Sequence, residues 1–128
     1  MAEERIVPTN VGDHNKIEYE EHVERYSFAS KFVKKKFVGL DIACGSGYGT
    51  DLLIRKGAEK FYGVDLSSKA TKYAKEHFKY NGLEYIQSDA LQIKFEPGYF
   101  DLIVSFESSD DLKCLFLHDV LFQISLIY

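Results

Sequence analysis

The chain predicts an α/β domain with a parallel sheet and helices on both faces, and three observations carry that expectation. Four short runs, 37–42, 60–64, 83–87 and 99–106, are nearly continuous in apolar residues, as strands buried on both sides are. Helix-like stretches separate the first three of these runs, and strands alternating with helices mean an α/β sheet. The first run ends on an acid, Asp41, and turns through glycines at 45, 47 and 49.

Bulk properties agree with one globular domain. At 128 residues, 45% hydrophobic and 28% charged, the chain is long enough to bury a core. A net charge of -4 gives no general attraction to nucleic acid or to an anionic membrane. Cys44 and Cys114 form no C-x-x-C pair and have no histidine at metal-ligand spacing, so neither a disulfide framework nor a metal site is expected. A reducing, cytoplasmic compartment fits that usage, and the charged start Met-Ala-Glu-Glu-Arg lacks the apolar core of a secretory signal.

Residues 1–15, with Pro8, Gly12 and Asp13 and no periodicity, read as an N-terminal arm, and 16–128 as the folded domain. From 16 to 33 the apolar positions Ile17, Tyr19, Val23, Tyr26, Phe28, Ala29, Phe32 and Val33 follow acids early and precede lysines late, the charge order a helix dipole favours. One or two helices are expected there. Strand one spans 37–42, and a helix from 50 to 56 ends at Gly57 as its C-cap. Strand two spans 60–64. Ser67 or Ser68 then caps a helix with its apolar face at Ala70, Tyr73, Ala74, His77 and Phe78, closed by Asn81-Gly82. Strand three is 83–87, and strand four, after Pro97-Gly98, is 99–106.

The turn after strand one carries the chemistry. Glycine there permits positive φ and removes the Cβ that would hold a ligand away from the backbone. A dinucleotide fingerprint needs G-x-G-x-x-G, but Thr50 stands where its third glycine would be, and no Lys-Ser or Lys-Thr pair completes a phosphate loop. An acid before the glycines would repel a pyrophosphate, yet it suits a ligand bearing an ammonium and a sulfonium. Asp41-Ile42-Ala43-Cys44-Gly45-Ser46-Gly47-Tyr48-Gly49 resembles the first motif of the class I S-adenosylmethionine-dependent methyltransferases. That family often has glycine at the place of Ala43.

The resemblance implies a Rossmann-like fold and S-adenosylmethionine as cofactor, held by Asp41, Ala43, Gly45, Ser46 and Gly47. Asp65 ends strand two, 24 residues after Asp41, where an acid can accept both ribose hydroxyls or cap the following helix; Leu66 accompanies it. Asp89 ends strand three, and the resemblance implies that it accepts from the adenine amino group while the Ala90 N–H meets a ring nitrogen. An Asx turn would equally explain Asp89. Strand four resembles the fourth motif, with Phe106 either covering the cofactor or serving the core. Upstream, Glu21-His22-Val23-Glu24-Arg25-Tyr26 resembles an E-H-x-x-R-Y stretch of small-molecule and glycan-associated members. Arg25 would clamp the cofactor carboxylate, with His22 or Tyr26 as lid residues, or would pair with Glu21 at i, i+4. Lys31 and Lys34–Lys36 read as a solvated helix end.

The resemblance fails after Glu107, so the fold is expected to be shortened on its C-terminal side. Members order their sheet 3-2-1-4-5-7-6, which would leave strand four as an edge open to association. Residues 112–128 hold 12 apolar residues of 17 but also Lys113, His118, Asp119 and Gln123, so they read as a core element rather than a membrane span. They are expected to cover that edge, or to be shared in a homo-oligomer. The expected function is methyl transfer to a small-molecule or glycan-like acceptor, without nucleic acid, metal or membrane. No general base can be assigned; Asp111 and His118 are the nearby titratable groups. The alternative is a non-catalytic cofactor-binding or assembly module, and a nicotinamide dehydrogenase is disfavoured by the glycine spacing.

Overall fold

A computed structural model describes residues 13–89, 92, 96, 98–106, 112–117 and 120–125. Its elements run α1 (Asp13–Ser30), β1 (Val38–Ile42), α2 (Tyr48–Ile54), β2 (Lys60–Asp65), α3 (Ser68–His77), β3 (Leu83–Gln87), β4 (Leu102–Ser105), β5 (Leu112–Leu117) and β6 (Val120–Ser125). They form one sheet ordered β3-β2-β1-β4-β5-β6. The first four strands are mutually parallel, and β5 and β6 join antiparallel. The Rossmann-like class expected from the sequence is the one observed.

The residues from 16 onward that suggested one or two helices form a single helix, which begins at Asp13. Tyr26 and Ala29 of α1, Leu53 and Ile54 of α2, and Phe61, Leu102, Val104 and Phe106 make one buried cluster. Ala74 of α3 packs with Cys44 and Tyr85 in a second. Register places Phe61 opposite Leu83 and Gly63 opposite Tyr85, so both clusters lie on the same sheet face. On the other face Val64 is buried and Tyr62 meets the rings of Tyr99 and Phe100. The β3–β4 connection falls mostly outside the described residues.

Boundaries moved where tertiary contacts overrode local signals. Ser67 caps α3, its hydroxyl accepting from Ala70 N at 3.0 Å. The helix stops at His77, and Asn81-Gly82 instead serves the turn into β3, where Leu83 N donates to Tyr80 O at 3.0 Å. His77, expected on the apolar face, is exposed and stacks on Tyr73 at 4.0 Å. Strand four begins only at Leu102, because Asp101 brackets Val38 with both backbone and side chain: Asp101 N donates to Val38 O at 2.8 Å, and Val38 N to Asp101 Oδ2 at 2.9 Å.

The expectation that the tail covers strand four is met by the chain itself. Leu102–Ser105 pairs with Cys114–Leu117, and β5 pairs in turn with β6. The β4 edge is therefore filled by β5 of the same chain.

Candidate functional site

The carboxyl ends of β1 and β2 bring two acids beside the glycine turn. Both are buried: Asp41 is 0% exposed and Asp65 is 2% exposed. A carboxylate taken from water needs donors on its oxygens, and both acids have them. Asp41 Oδ2 accepts from Thr50 Oγ1 at 2.7 Å, and Oδ1 from the Tyr26 hydroxyl at 3.2 Å. Asp65 Oδ2 accepts from Gly45 N at 2.8 Å, and Oδ1 from Ser67 N at 2.9 Å. One carboxylate thus holds the underside of the loop's helix, and the other ties the loop to the end of β2.

The backbone between them is tightly wound. Cys44 N extends the β1–β2 ladder to Val64 O at 2.9 Å, and Gly47 N returns to Cys44 O at 3.3 Å. Gly45 has φ 62° and Gly47 has φ 97°, the left-handed region open to glycine. A Cβ on Gly47 would also lie 2.6 Å from Ala74 Cβ and 2.9 Å from the Tyr85 hydroxyl. That hydroxyl stands 2.9 Å from Phe78 O and 3.3 Å from Gly47 O, so Tyr85 props the loop against α3. Burial and the charges of Asp41 and Asp65 push the Cys44 thiol well above its ordinary range. Cys44 is therefore a neutral packing group rather than a nucleophile.

Ala43 departs from glycine at a place where the backbone favours it, with φ 62°. An L-residue there costs roughly 1–2 kcal/mol, of which glycine's greater unfolded freedom would return about 0.5–1. Ala43→Gly is expected to raise stability by about 0.5 kcal/mol, a rise of about 2 °C in melting temperature. Calorimetric melting of both chains checks this, and a lowered midpoint would contradict it.

The remaining site residues fall into two groups. Around Asp65, Leu66 is 57% exposed despite its apolar side chain, and its carbonyl accepts from Gln87 Nε2 at 2.8 Å. Asp65 O accepts from Ser88 N at 2.9 Å, which joins the ends of β2 and β3 and brings exposed Asp89 to the same edge. Ser46 is 1% exposed within the loop. Around Asp41, Arg25 is half-buried on α1, one residue before Tyr26. Ala90, Asp111 and His118 lie outside the described residues.

Two expected roles change. Phe106 is 1% exposed, and its ring meets Tyr26 edge-on at 5.2 Å. Its side chain serves the core, the plainer of its two readings. Tyr26 is 3% exposed and packs beneath the loop, so it is a buried support rather than a lid. The sequence reading missed Thr50 and Tyr85, and it missed the bond from Tyr26 to Asp41; the hydroxyl following the third glycine was the one local signal among them.

Residues 40–118 match a family model described as a methyltransferase domain. The chain belongs to this family, one of the class I S-adenosylmethionine-dependent methyltransferases. A ribosomal protein L11 methyltransferase of Caldanaerobacter subterraneus is 38% identical over 81 residues, 61% of this chain and 26% of that protein. A probable phthiotriol/phenolphthiotriol dimycocerosates methyltransferase 2 of Mycobacterium ulcerans is 31% identical over 71 residues, 55% of this chain and 28% of that protein. The PH0226 protein of Pyrococcus horikoshii superposes with a TM-score of 0.59 at 35% identity, over 77% of this chain and 47% of the other. The chain thus spans about a quarter of the curated relatives' length. Among the described residues no helix is long and apolar enough to cross a membrane, and no group of three or more His, Cys, Asp or Glu is placed to hold a metal.

Proposed function

We propose that the chain carries the cofactor half of a methyltransferase that moves a methyl group from S-adenosylmethionine to a small-molecule acceptor. One observation carries the reading: the Asp65 carboxylate is buried and bonded to the Gly45 N–H, directly beside the exposed apolar side chain of Leu66. Asp65 places two carboxylate oxygens beside the glycine turn, bonded to Gly45 N and Ser67 N, and a carboxylate oxygen can accept more than one hydrogen bond, which is the chemistry a ribose hydroxyl needs. Leu66 offers an apolar surface for an adenine face. The residues present therefore fit the group.

The other positions divide the cofactor between them. Ala43, Gly45, Ser46 and Gly47 bring backbone close to the amino-acid portion, which Arg25 holds by its carboxylate. Asp41 sets the loop's shape and supplies negative charge near the ammonium. Asp89 and Ala90 meet the adenine edge, and Phe106 contributes through its backbone. When bound, S-adenosylmethionine supplies a methyl group on a cationic sulfur, transferred by in-line displacement. The protein's part is to orient the reactants and to shape the field of its two buried acids around a positive ligand. The lipid-type compounds named for two relatives, phthiotriol dimycocerosates and a fatty acid, favour a small-molecule acceptor, and a glycan-like one stays within that reading.

Titration calorimetry with S-adenosylhomocysteine tests the cofactor, and transfer of labelled methyl to lipid and sugar acceptors tests the reaction. Asp65→Ala is expected to weaken binding by about 1–3 kcal/mol, the range for hydrogen bonds to a charged group. Equal affinity in the variant would reduce Asp65 to a tie between loop and helix. Binding without transfer to any acceptor would leave a non-catalytic module.

A further inference from the structure

We infer that Tyr26 is a positioning residue: its hydroxyl bolts helix α1 to Asp41, and through Asp41 it holds the glycine loop in the shape that receives the cofactor. The inference rests on the cofactor reading above for its consequence, though not for its geometry.

Asp41 is 0% exposed, and its two oxygens accept from groups on different elements. Thr50 lies on α2, nine residues downstream, and Tyr26 on α1, fifteen residues upstream. Asp41 itself ends at the strand edge from which the loop departs, its neighbour Ile42 closing β1. Three elements therefore meet on one carboxylate. The ring of Tyr26 is fixed independently of its hydroxyl. It lies edge-on to Phe106 at 5.2 Å and to Tyr48 at 5.9 Å, and it fills the space a Cβ on Gly49 would need.

That separation makes the hydroxyl's role distinct from the ring's. Packing of the ring holds α1 on the core, whereas the O–H reaches the acid that also binds the first turn of α2. Without it, the buried charge keeps Thr50 but loses its donor from α1. The loop that begins two residues later then loses one of the groups that fix its root. A loop ordered before the ligand arrives costs less to bind than one that orders on binding.

Tyr26→Phe separates the two roles because it keeps the ring. Amide hydrogen exchange in the chain without ligand is expected to quicken at least tenfold across residues 43–49. Amides of β2 from Phe61 to Val64 should keep the parent rate, a pattern that general destabilisation would not give. The dissociation constant for S-adenosylhomocysteine is expected to rise about tenfold. In an Asp41→Asn background, where the buried charge is gone, the same substitution should change affinity by less than threefold. Unchanged loop exchange, equal quickening in β2, or unchanged affinity despite a loosened loop would each overturn the bolt. If the parent chain binds no S-adenosylhomocysteine, the cofactor reading fails, and the exchange pattern still decides whether Tyr26 fixes the loop.

Discussion

Gly49→Ala is expected to destabilise the fold by about 3 kcal/mol, the upper part of the range for overpacking a rigid core. Helix propensity alone gives the opposite sign, since alanine within a helix is favoured over glycine by about 1 kcal/mol. Packing decides. A Cβ on Gly49 would stand 2.3 Å from Tyr26 Cε2 and Cζ and 2.5 Å from Cδ2, far inside contact distance. The ring cannot swing aside cheaply: it is 3% exposed, wedged between Tyr48 and Phe106, and its hydroxyl is bonded to Asp41. Relief requires α1 to lift from α2. Urea unfolding followed by circular dichroism should show a lowered midpoint, and Gly49→Ala should cost much less when introduced into a Tyr26→Ala background than into the parent. A midpoint equal to or above the parent's would mean that the two helices do not depend on this close approach.

The three glycines show how far the sequence could be read. All three were expected to form the turn, with Gly45 and Gly47 also meeting the ligand. Gly45 and Gly47 do shape the turn, with left-handed φ values of 62° and 97°. Gly49 sits inside α2 and is small for the sake of a ring 23 residues earlier. Local pattern cannot separate a glycine needed for φ from one needed for space, because the second reason lies in tertiary contact. The same limit hid the Tyr26–Asp41 bond and left Phe106 with two readings until its burial was known.

Where the deciding physics is local, the reading held. Leu83–Gln87 was legible because Asn81-Gly82 marks a turn on one side and polar residues on the other. Ser67 was a foreseeable cap, since a hydroxyl before a helix satisfies a free N–H. The acids at the strand ends could be placed together because parallel strands deliver their carboxyl ends to one edge. The two strands of the tail could not be foreseen in detail. Leu117 pairs with Val120, but residues 112–128 contain neither glycine nor proline to announce a reversal.

Gly45→Val is expected to abolish detectable binding of S-adenosylhomocysteine, a loss of more than 100-fold, or roughly 3 kcal/mol. Three costs add at this residue. Its φ of 62° is unfavourable for any L-residue by roughly 1–2 kcal/mol, and a β-branched side chain suffers more. Escaping that strain moves the N–H that donates to Asp65 Oδ2 at 2.8 Å, which disturbs the acid proposed to hold the ribose. A side chain at 45 also stands between the ligand and the backbone it must approach. Because strain weakens the fold as well as the site, thermal melting should accompany the titration, with Gly45→Ala as the milder companion. The alanine variant is expected to stay folded at 25 °C and to bind at least tenfold more weakly than the parent. If a folded Gly45 variant binds as tightly as the parent, the glycine loop is not where the cofactor sits.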